Sequence, residues 1–136
     1  MMILRILLIL VIIFSLTSCY ANNLGKKQGK AVNAGKMVDP FTLDFGKVKQ
    51  GEILKHSFTL KNDSSKTLNI KDVNTSCGCT ATKVAKKTLV PGESTVIDVS
   101  FKSKGYKGQV TQFIYVNTDS VEKPVIRFTI KAEVVK

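Results

Sequence analysis

Two cysteines separated by one glycine are the residues of this 136-residue sequence whose spacing most clearly indicates chemistry. In the run SCGCT, Cys77 and Cys79 flank Gly78, and residues two apart in an extended chain point to the same face. A disulfide between them requires the chain to bend, and Gly78 is the residue expected to permit the bend. A bridge across a single residue closes a very small loop, so it would stabilise the fold by only about 1.6 kcal/mol.

Three other roles for Cys77 and Cys79 remain open. Two thiolates on one face suit Cu(I) or part of a zinc site, but His56 is the one further candidate ligand, so a closed four-ligand zinc site is not expected. A redox-active pair usually has two intervening residues and a helix start, and neither is evident. The two side chains could also simply pack at the end of a strand. An oxidising compartment would favour the disulfide.

The remaining polar residues do not indicate an enzyme. His56 alternates with Leu54, Phe58 and Leu60 on one predicted strand face, so we interpret it as a histidine of the core or its rim. The acidic residues are scattered and form no spaced pair suited to acid–base catalysis. No phosphate-binding glycine loop or histidine-rich metal motif occurs, so we expect no catalytic residues, no cofactor and no small-molecule substrate.

The N-terminus predicts export and lipidation. One arginine precedes a largely apolar run from Ile6 to Leu16, a length typical of a signal-peptide core and short for a membrane span. The following Leu16-Thr17-Ser18-Cys19 resembles the lipobox of bacterial lipoproteins. That resemblance implies cleavage after residue 18 and attachment of a diacylglyceryl group to the thiol of Cys19, with acylation such as palmitate. The alternative is an ordinary secretory signal that is cut elsewhere.

The excess positive charge of the chain comes almost entirely from lysine. The net charge is +11, and arginine occurs only at positions 5 and 127. We interpret residues 19–38 as the lipidated cysteine and a basic tether without acidic residues, in which each lysine near an anionic leaflet would contribute about 1 kcal/mol of attraction. The tether lysines are Lys26, Lys27, Lys30 and Lys36. Nucleic acid is not an expected partner, because arginine is scarce and the signal directs export; a solvated lysine-rich surface is the simpler interpretation.

Residues 39–136 alternate with a period of two and show no helical period. Seven strand-like runs are separated by turn motifs. The predicted turns are Lys47–Gly51, Asn62-Asp63-Ser64-Ser65, Pro91-Gly92, Lys104–Gly108 and Asn117–Lys123. This pattern predicts an all-β domain, an antiparallel β-sandwich of immunoglobulin type, with a small barrel as the alternative. The predicted strands are FTLDFG, ILKHSFTLKN, LNIKDV, TATKV, STVIDVSFK, QVTQFIYVNT and PVIRFTIKAEVVK.

Several of these segments resemble a bacterial family catalogued as domain of unknown function 1573. The similar segments are FTLDFGKVKQGEILKHSFTLKN, LNIKDVNTSCGCTATKV, VPGESTVIDVSFKSKGYKGQ and FIYVNTD. The hallmark of the family is the Ser-Cys-Gly-Cys-Thr run followed by Pro-Gly-Glu, and its members are often lipoproteins. The resemblance implies an immunoglobulin-like domain similar to those of ciliary proteins and pilus chaperones, and it implies no activity.

Two functions are compatible with the sequence. The first is a lipid-anchored, non-enzymatic protein of the bacterial cell envelope that binds another protein or a surface polymer through sheet edges, loops or basic faces. The second is a Cu(I)-binding or thiol–disulfide redox protein that uses Cys77 and Cys79. Tyr20 follows Cys19, whereas an aspartate at this position retains many proteobacterial lipoproteins at the inner membrane. The resemblance to lipoproteins therefore implies the outer membrane in preference to the inner membrane in a cell with two membranes.

Overall fold

The computed structural model describes residues 35–136. The regular secondary structure of these residues consists of β-strands, with no helix among them. The predicted signal peptide, the lipobox with Cys19 and most of the predicted tether lie outside the described residues. Within the described part, no helix is long and apolar enough to cross a membrane. The strands are β1 (Lys36–Asp39), β2 (Thr42–Lys49), β3 (Ile53–Lys61), β4 (Leu68–Thr75), β5 (Thr80–Val84), β6 (Thr88–Leu89), β7 (Ser94–Lys102), β8 (Gly108–Thr118) and β9 (Val125–Val135).

All seven predicted strands are present, and two strands were missed. Strand β1 covers Lys36–Asp39, so β-structure begins at Lys36, inside the segment that the sequence assigned to the tether. Strand β6 has only two residues, Thr88 and Leu89, which is too short for a period-two pattern to register. The sequence therefore locates the strands well where they are long enough to alternate.

The strands form two sheets that pack as a sandwich. One sheet has the order β1-β2-β9-β8-β4-β6 and the other has the order β3-β7-β5. This confirms the predicted sandwich, and two separate sheets with free edges exclude the barrel. The pairing is not antiparallel throughout, because β2 runs parallel to β9, with Thr42 beside Thr129 and Lys49 beside Val135. Side chains alternate with the same period in both orientations, so the sequence could not distinguish them.

Inward-facing side chains of both sheets form one continuous core. The rings of Phe58 in β3 and Phe128 in β9 join the two sheets, with centroids 4.7 Å apart. Both rings are almost completely buried, and each burial stabilises the fold by about 1.5–3 kcal/mol. The other largest fully buried side chains are Phe101, Leu43, Leu54, Leu89, Ile97, Ile114, Ile130, Val48, Val116 and Val134. Strand β3 therefore lies over β9.

A bulge in β2 explains why the predicted end of this strand was too early. Gly46 has a φ of 65°, and the carboxylate of Asp44 accepts a hydrogen bond from its N–H at 2.7 Å. The register with β9 shifts between Asp44 and Lys47, after which β2 continues to Lys49. A left-handed glycine is the usual device for such a bulge. The sequence had assigned Lys47–Gly51 to a turn.

Candidate functional site

The two cysteines of the hallmark run lie where the chain crosses from one sheet to the other. Strand β4 ends at Thr75 in the six-stranded sheet, and β5 begins at Thr80 in the three-stranded sheet. The N–H of Thr80 donates to the carbonyl oxygen of Cys77 at 3.3 Å, which closes a four-residue turn. Cys77 and Cys79 therefore lie in a turn and not in an extended stretch, and this turn is the bend that a disulfide between them was expected to require.

The structure pairs the two cysteines as a disulfide. Their Cα atoms are 5.3 Å apart, within the usual range for such a bridge. Gly78 does not have a left-handed φ, and a Cβ atom built on it meets nothing within 4 Å. The turn conformation thus provides the bend, and the expectation that it depends on glycine at position 78 finds no support in the geometry.

Tyr106 brings a hydroxyl group to both sulfur atoms. Its Oη lies 3.0 Å from Sγ of Cys79 and 3.5 Å from Sγ of Cys77. The ring packs edge-on against Phe101, with centroids 5.3 Å apart, and the backbone N–H of Tyr106 donates to the carbonyl oxygen of Ser103 at 3.1 Å. Sequence reasoning assigned residues 104–108 to a turn and missed this contact, because Tyr106 is 27 positions from Cys79.

Hydrogen bonds to both sheets hold this turn in place. The hydroxyl of Thr75 donates to the carbonyl oxygen of Cys77 at 2.9 Å, and that of Ser76 donates to Oε1 of the buried Gln112 at 2.7 Å. On the other side, the N–H of Lys102 donates to the carbonyl oxygen of Cys79 at 3.0 Å. The two cysteines are half-buried, and Cys79 packs against the core. The turn therefore holds two half-buried cysteines in a fixed position beside the hydroxyl group of Tyr106.

His56 does not join the cysteines. It is half-buried on β3, edge-on to the ring of Phe58 at 4.6 Å, and faces Val99 of β7 across the sheet. Partial burial lowers the pKa of His56 below its ordinary value of 6.5, so the imidazole is neutral at pH 7. Strand β7 lies between His56 and β5. Val99, the β7 residue that pairs with His56, pairs on its other side with Thr82 of β5, so His56 is not aligned with Cys79. No group of three or more His, Cys, Asp or Glu side chains in residues 35–136 could hold a metal ion.

A second feature with binding potential is the free edge of β3. Among the described strands, four lie at sheet edges, and β3 is the longest of them with nine residues. Its register with β7 has no shift. The other edges are short or blocked: β1 has four residues and a register shift, β6 has two residues, and both backbone groups of Thr80 at the start of β5 are already bonded within the cysteine turn. Long, regular edges are the ones that accept another strand.

The hydrogen bonds at its two ends show which residues of β3 face outward. The N–H of Ser103 donates to the carbonyl oxygen of Glu52 at 2.9 Å, and the N–H of Asn62 donates to that of Glu93 at 2.8 Å. In an antiparallel pair, bonded and non-bonded positions alternate, so even-numbered residues of β3 bond to β7. The backbone N–H and C=O groups that point away from the sheet belong to Ile53, Lys55, Ser57, Thr59 and Lys61.

The comparison with protein families identifies the relatives of this chain. A family model described as protein of unknown function (DUF1573) matches residues 37–134. The chain belongs to this family. The resemblance derived from the Cys-Gly-Cys-Thr run and Pro-Gly-Glu is thereby confirmed at the level of the domain. The DUF1573 match covers β2 to β8 completely and includes the cysteine turn, Tyr106 and the β3 edge.

Solved structures share the fold at low sequence identity. A protein of unknown function from Porphyromonas gingivalis W83 is 22% identical, with a TM-score of 0.61, and the match covers 76% of this chain and 48% of that chain. This DUF1573 chain thus corresponds to about half of that protein. The ASH / PapD-like domain of human CEP192 is 13% identical, with a TM-score of 0.54, over 85% of this chain and 96% of that one.

A third similar structure is the VesB protease of Vibrio cholerae, which is 18% identical with a TM-score of 0.55. The match covers 70% of this chain but only 30% of the protease chain. No curated protein matches the sequence. Together these similarities support the immunoglobulin-like and PapD-like sandwich, and they show the fold alone.

Proposed function

We propose that this protein is a lipid-anchored, non-enzymatic binding module of the bacterial cell envelope, which binds an extended segment of a partner protein at the edge of β3. The observation that carries the proposal is the nine-residue edge of β3, which pairs with β7 without a bulge and is not shortened by proline. An added strand would gain main-chain hydrogen bonds with the five outward-facing residues. This mode of binding favours a protein over a surface polymer, which has no peptide backbone.

The anchoring part of the proposal rests on the sequence before the described residues. Leu16-Thr17-Ser18-Cys19 provides the lipobox pattern, and membership of DUF1573 is compatible with it. Acyl chains on Cys19 would hold the protein on a bilayer, since each buried CH₂ contributes about 0.8 kcal/mol. Tyr20 after Cys19 favours the outer membrane in a cell with two membranes. The domain would then project from the membrane surface with the β3 edge available to partners.

The proposal is tested by blocking the edge with proline. Ser57 is an outward-facing residue of β3, so proline at this position removes a free N–H without breaking a backbone hydrogen bond to β7. Its hydroxyl also donates to Asp98 at 2.6 Å, and Ser57→Ala is the matched control because it loses this bond but keeps the N–H. Crosslinking in native cells should capture a partner with the wild type and Ser57→Ala, and lose it with Ser57→Pro. Equal capture by Ser57→Pro, at equal protein level, contradicts the proposal.

A second candidate function is thiol–disulfide exchange or Cu(I) binding at Cys77 and Cys79. The specific observation in its favour is the hydroxyl of Tyr106, 3.0 Å from Sγ of Cys79. In the reduced form, this hydroxyl can donate a hydrogen bond to a thiolate, which is the form of cysteine that attacks disulfides and binds metal ions. Both cysteines are half-buried, so neither residue is sealed inside the core.

A further inference from the structure

The outer surface beside the β3 edge is basic. Of the five outward-facing residues of β3, Lys55 and Lys61 are charged, and both are exposed. The neighbouring strands of the same sheet add exposed Lys83 and Lys102. The acidic residue on the outer face of β7, Asp98, already accepts the hydroxyl of Ser57. A strand added to β3 would meet the ammonium groups of Lys55 and Lys61 at the two ends of the edge. Lys61 also forms an ion pair with Asp63 at 2.9 Å, but both side chains are exposed, so this pair contributes little and an acidic residue of the added strand can compete with Asp63.

This charge pattern argues against pairing with the protein's own lysine-rich chain. Two copies of β3 side by side would bring lysines together, and like charges on adjacent strands are destabilising. The sequence from residue 20 to residue 34 contains Lys26, Lys27 and Lys30 and no acidic residue, so it is also poorly matched to this edge. An acidic partner strand is favoured by the same argument, since opposite charges in cross-strand pairs are stabilising.

The other face of an added strand would meet an apolar surface. Strand β3 lies over β9 of the six-stranded sheet. From β3, the three-stranded sheet continues through β7 to β5, and β5 contacts β4, which lies on the far side of β9 from β2. The free edge of β3 therefore points in the opposite direction, toward β2 and β1. Here the six-stranded sheet extends beyond β3. Met37 of β1 lies on the same face as the buried Leu43, yet 43% of it is exposed.

A groove of about 550 Å³ continues this apolar surface at the end of β3. Its lining includes the apolar side chains of Phe41, Leu60, Val125 and Ile126. The charged side chains that also line it are Lys61, Asp63, Glu122, Lys123 and Arg127. Phe41 is 46% exposed although its ring contacts that of Phe128, with centroids 5.4 Å apart. An apolar side chain of the added strand would cover Phe41 and remove its exposed surface from water. This burial of apolar surface would be the main contribution to the stability of the complex.

We propose that the β3 edge recognises an extended segment with acidic side chains six residues apart on one face and apolar side chains on the other. The spacing follows from Lys55 and Lys61, which are six positions apart on the same face of β3. The apolar residues of the segment face the surface formed by the exposed side chains of Met37 and Phe41. The inference rests on the proposed function, because it specifies the partner of the same edge.

The experiment uses the full chain in detergent micelles and a fluorescent seven-residue peptide with the order Asp-Val-Thr-Val-Thr-Val-Asp. Two control peptides replace both Asp by Lys, or all three Val by Ser. We expect the Asp peptide to bind about tenfold more tightly than the Lys peptide at low salt, a preference that decreases in salt. The Ser peptide should bind more weakly than the Asp peptide, because it buries no apolar side chains. Lys55→Glu should reduce the preference for Asp, Ser57→Pro should abolish binding, and Ser57→Ala should retain it.

Several results would overturn the inference. Equal binding of the Asp and Lys peptides contradicts the charge requirement, and binding that survives Ser57→Pro contradicts strand addition. Slow hydrogen exchange at the backbone N–H groups of Ser57 and Thr59 in the chain without peptide would mean that the chain's own N-terminal segment or a second copy already occupies the edge. Failure of all three peptides overturns the acidic and apolar specificity alone, because the crosslinking comparison tests β3 as the docking edge independently.

Discussion

Tyr106 places a hydroxyl group beside a disulfide that contributes little to stability. A bridge across one residue reduces the entropy of the unfolded chain only slightly, and the turn is already held by hydrogen bonds from Thr75, Ser76 and Lys102. The sulfur pair is therefore not required to close the connection between β4 and β5. At the level of residues, the question is whether the pair remains oxidised or exchanges electrons.

The double variant Cys77→Ser/Cys79→Ser tests this question. We expect it to fold, with a free energy of unfolding lower by about 1.6 kcal/mol, measured by urea denaturation. If the pair is a structural disulfide, the wild type isolated without reductant has no free thiol at these positions and binds no more Cu(I) than the double variant. Free thiols and Cu(I) binding in the wild type isolated without reductant, both lost in the double variant, would instead support the second candidate function.

At the level of elements, Asn62 at the end of β3 has a structural role that its turn motif does not predict. The sequence indicates a turn at Asn62-Asp63-Ser64-Ser65, but Asn62 is only 2% exposed. Its Nδ2 donates to the carbonyl oxygens of Lys66 at 2.8 Å and Leu89 at 2.9 Å, and its Oδ1 accepts the N–H of Ser64 at 3.1 Å. The side chain thus joins the β3–β4 connection to β6.

Replacing this amide should be costly. In Asn62→Asp, a carboxylate would face two carbonyl oxygens without a proton to donate, so we expect the free energy of unfolding to fall by about 3 kcal/mol. The matched control is Asp63→Asn at the adjacent exposed position, where loss of the 2.9 Å ion pair with Lys61 should cost less than about 1 kcal/mol. Urea denaturation of both variants measures the difference. Similar losses in the two would contradict a structural role for the Asn62 amide.

The elements also show what the sequence could predict and why. Strands such as β3, β7 and β9 bury one face, so their alternation is visible in the residues themselves. Three features depend on contacts between residues far apart in the chain, and such contacts leave no local sequence pattern. They are the orientation of strand pairing, the free edge of β3 and the contact of Tyr106 with the sulfurs. The cysteine pair was identified by its spacing, whereas its turn conformation was not.

At the scale of the whole molecule, a basic folded domain is combined with an N-terminal segment that predicts lipidation. The net charge of +11 would favour contact with an anionic surface, but charge attraction is screened by salt and acyl chains are not. The two contributions can therefore be separated experimentally. If Cys19 carries lipid, the protein should remain on membranes in high salt.

Replacing Cys19 with serine tests the anchor directly. Fractionation alone is not sufficient, because a variant with an uncleaved signal peptide would stay on the membrane through its apolar run from Ile6 to Leu16. Incorporation of labelled palmitate is the better measurement: we expect it in the wild type and in Cys77→Ser/Cys79→Ser, and not in Cys19→Ser. Mass spectrometry of the wild type should also find a mature chain that begins at an acylated Cys19. Palmitate labelling of Cys19→Ser, or a wild-type chain that begins elsewhere, would contradict lipidation of Cys19, and the β3 edge would then have to meet its partner without this anchor.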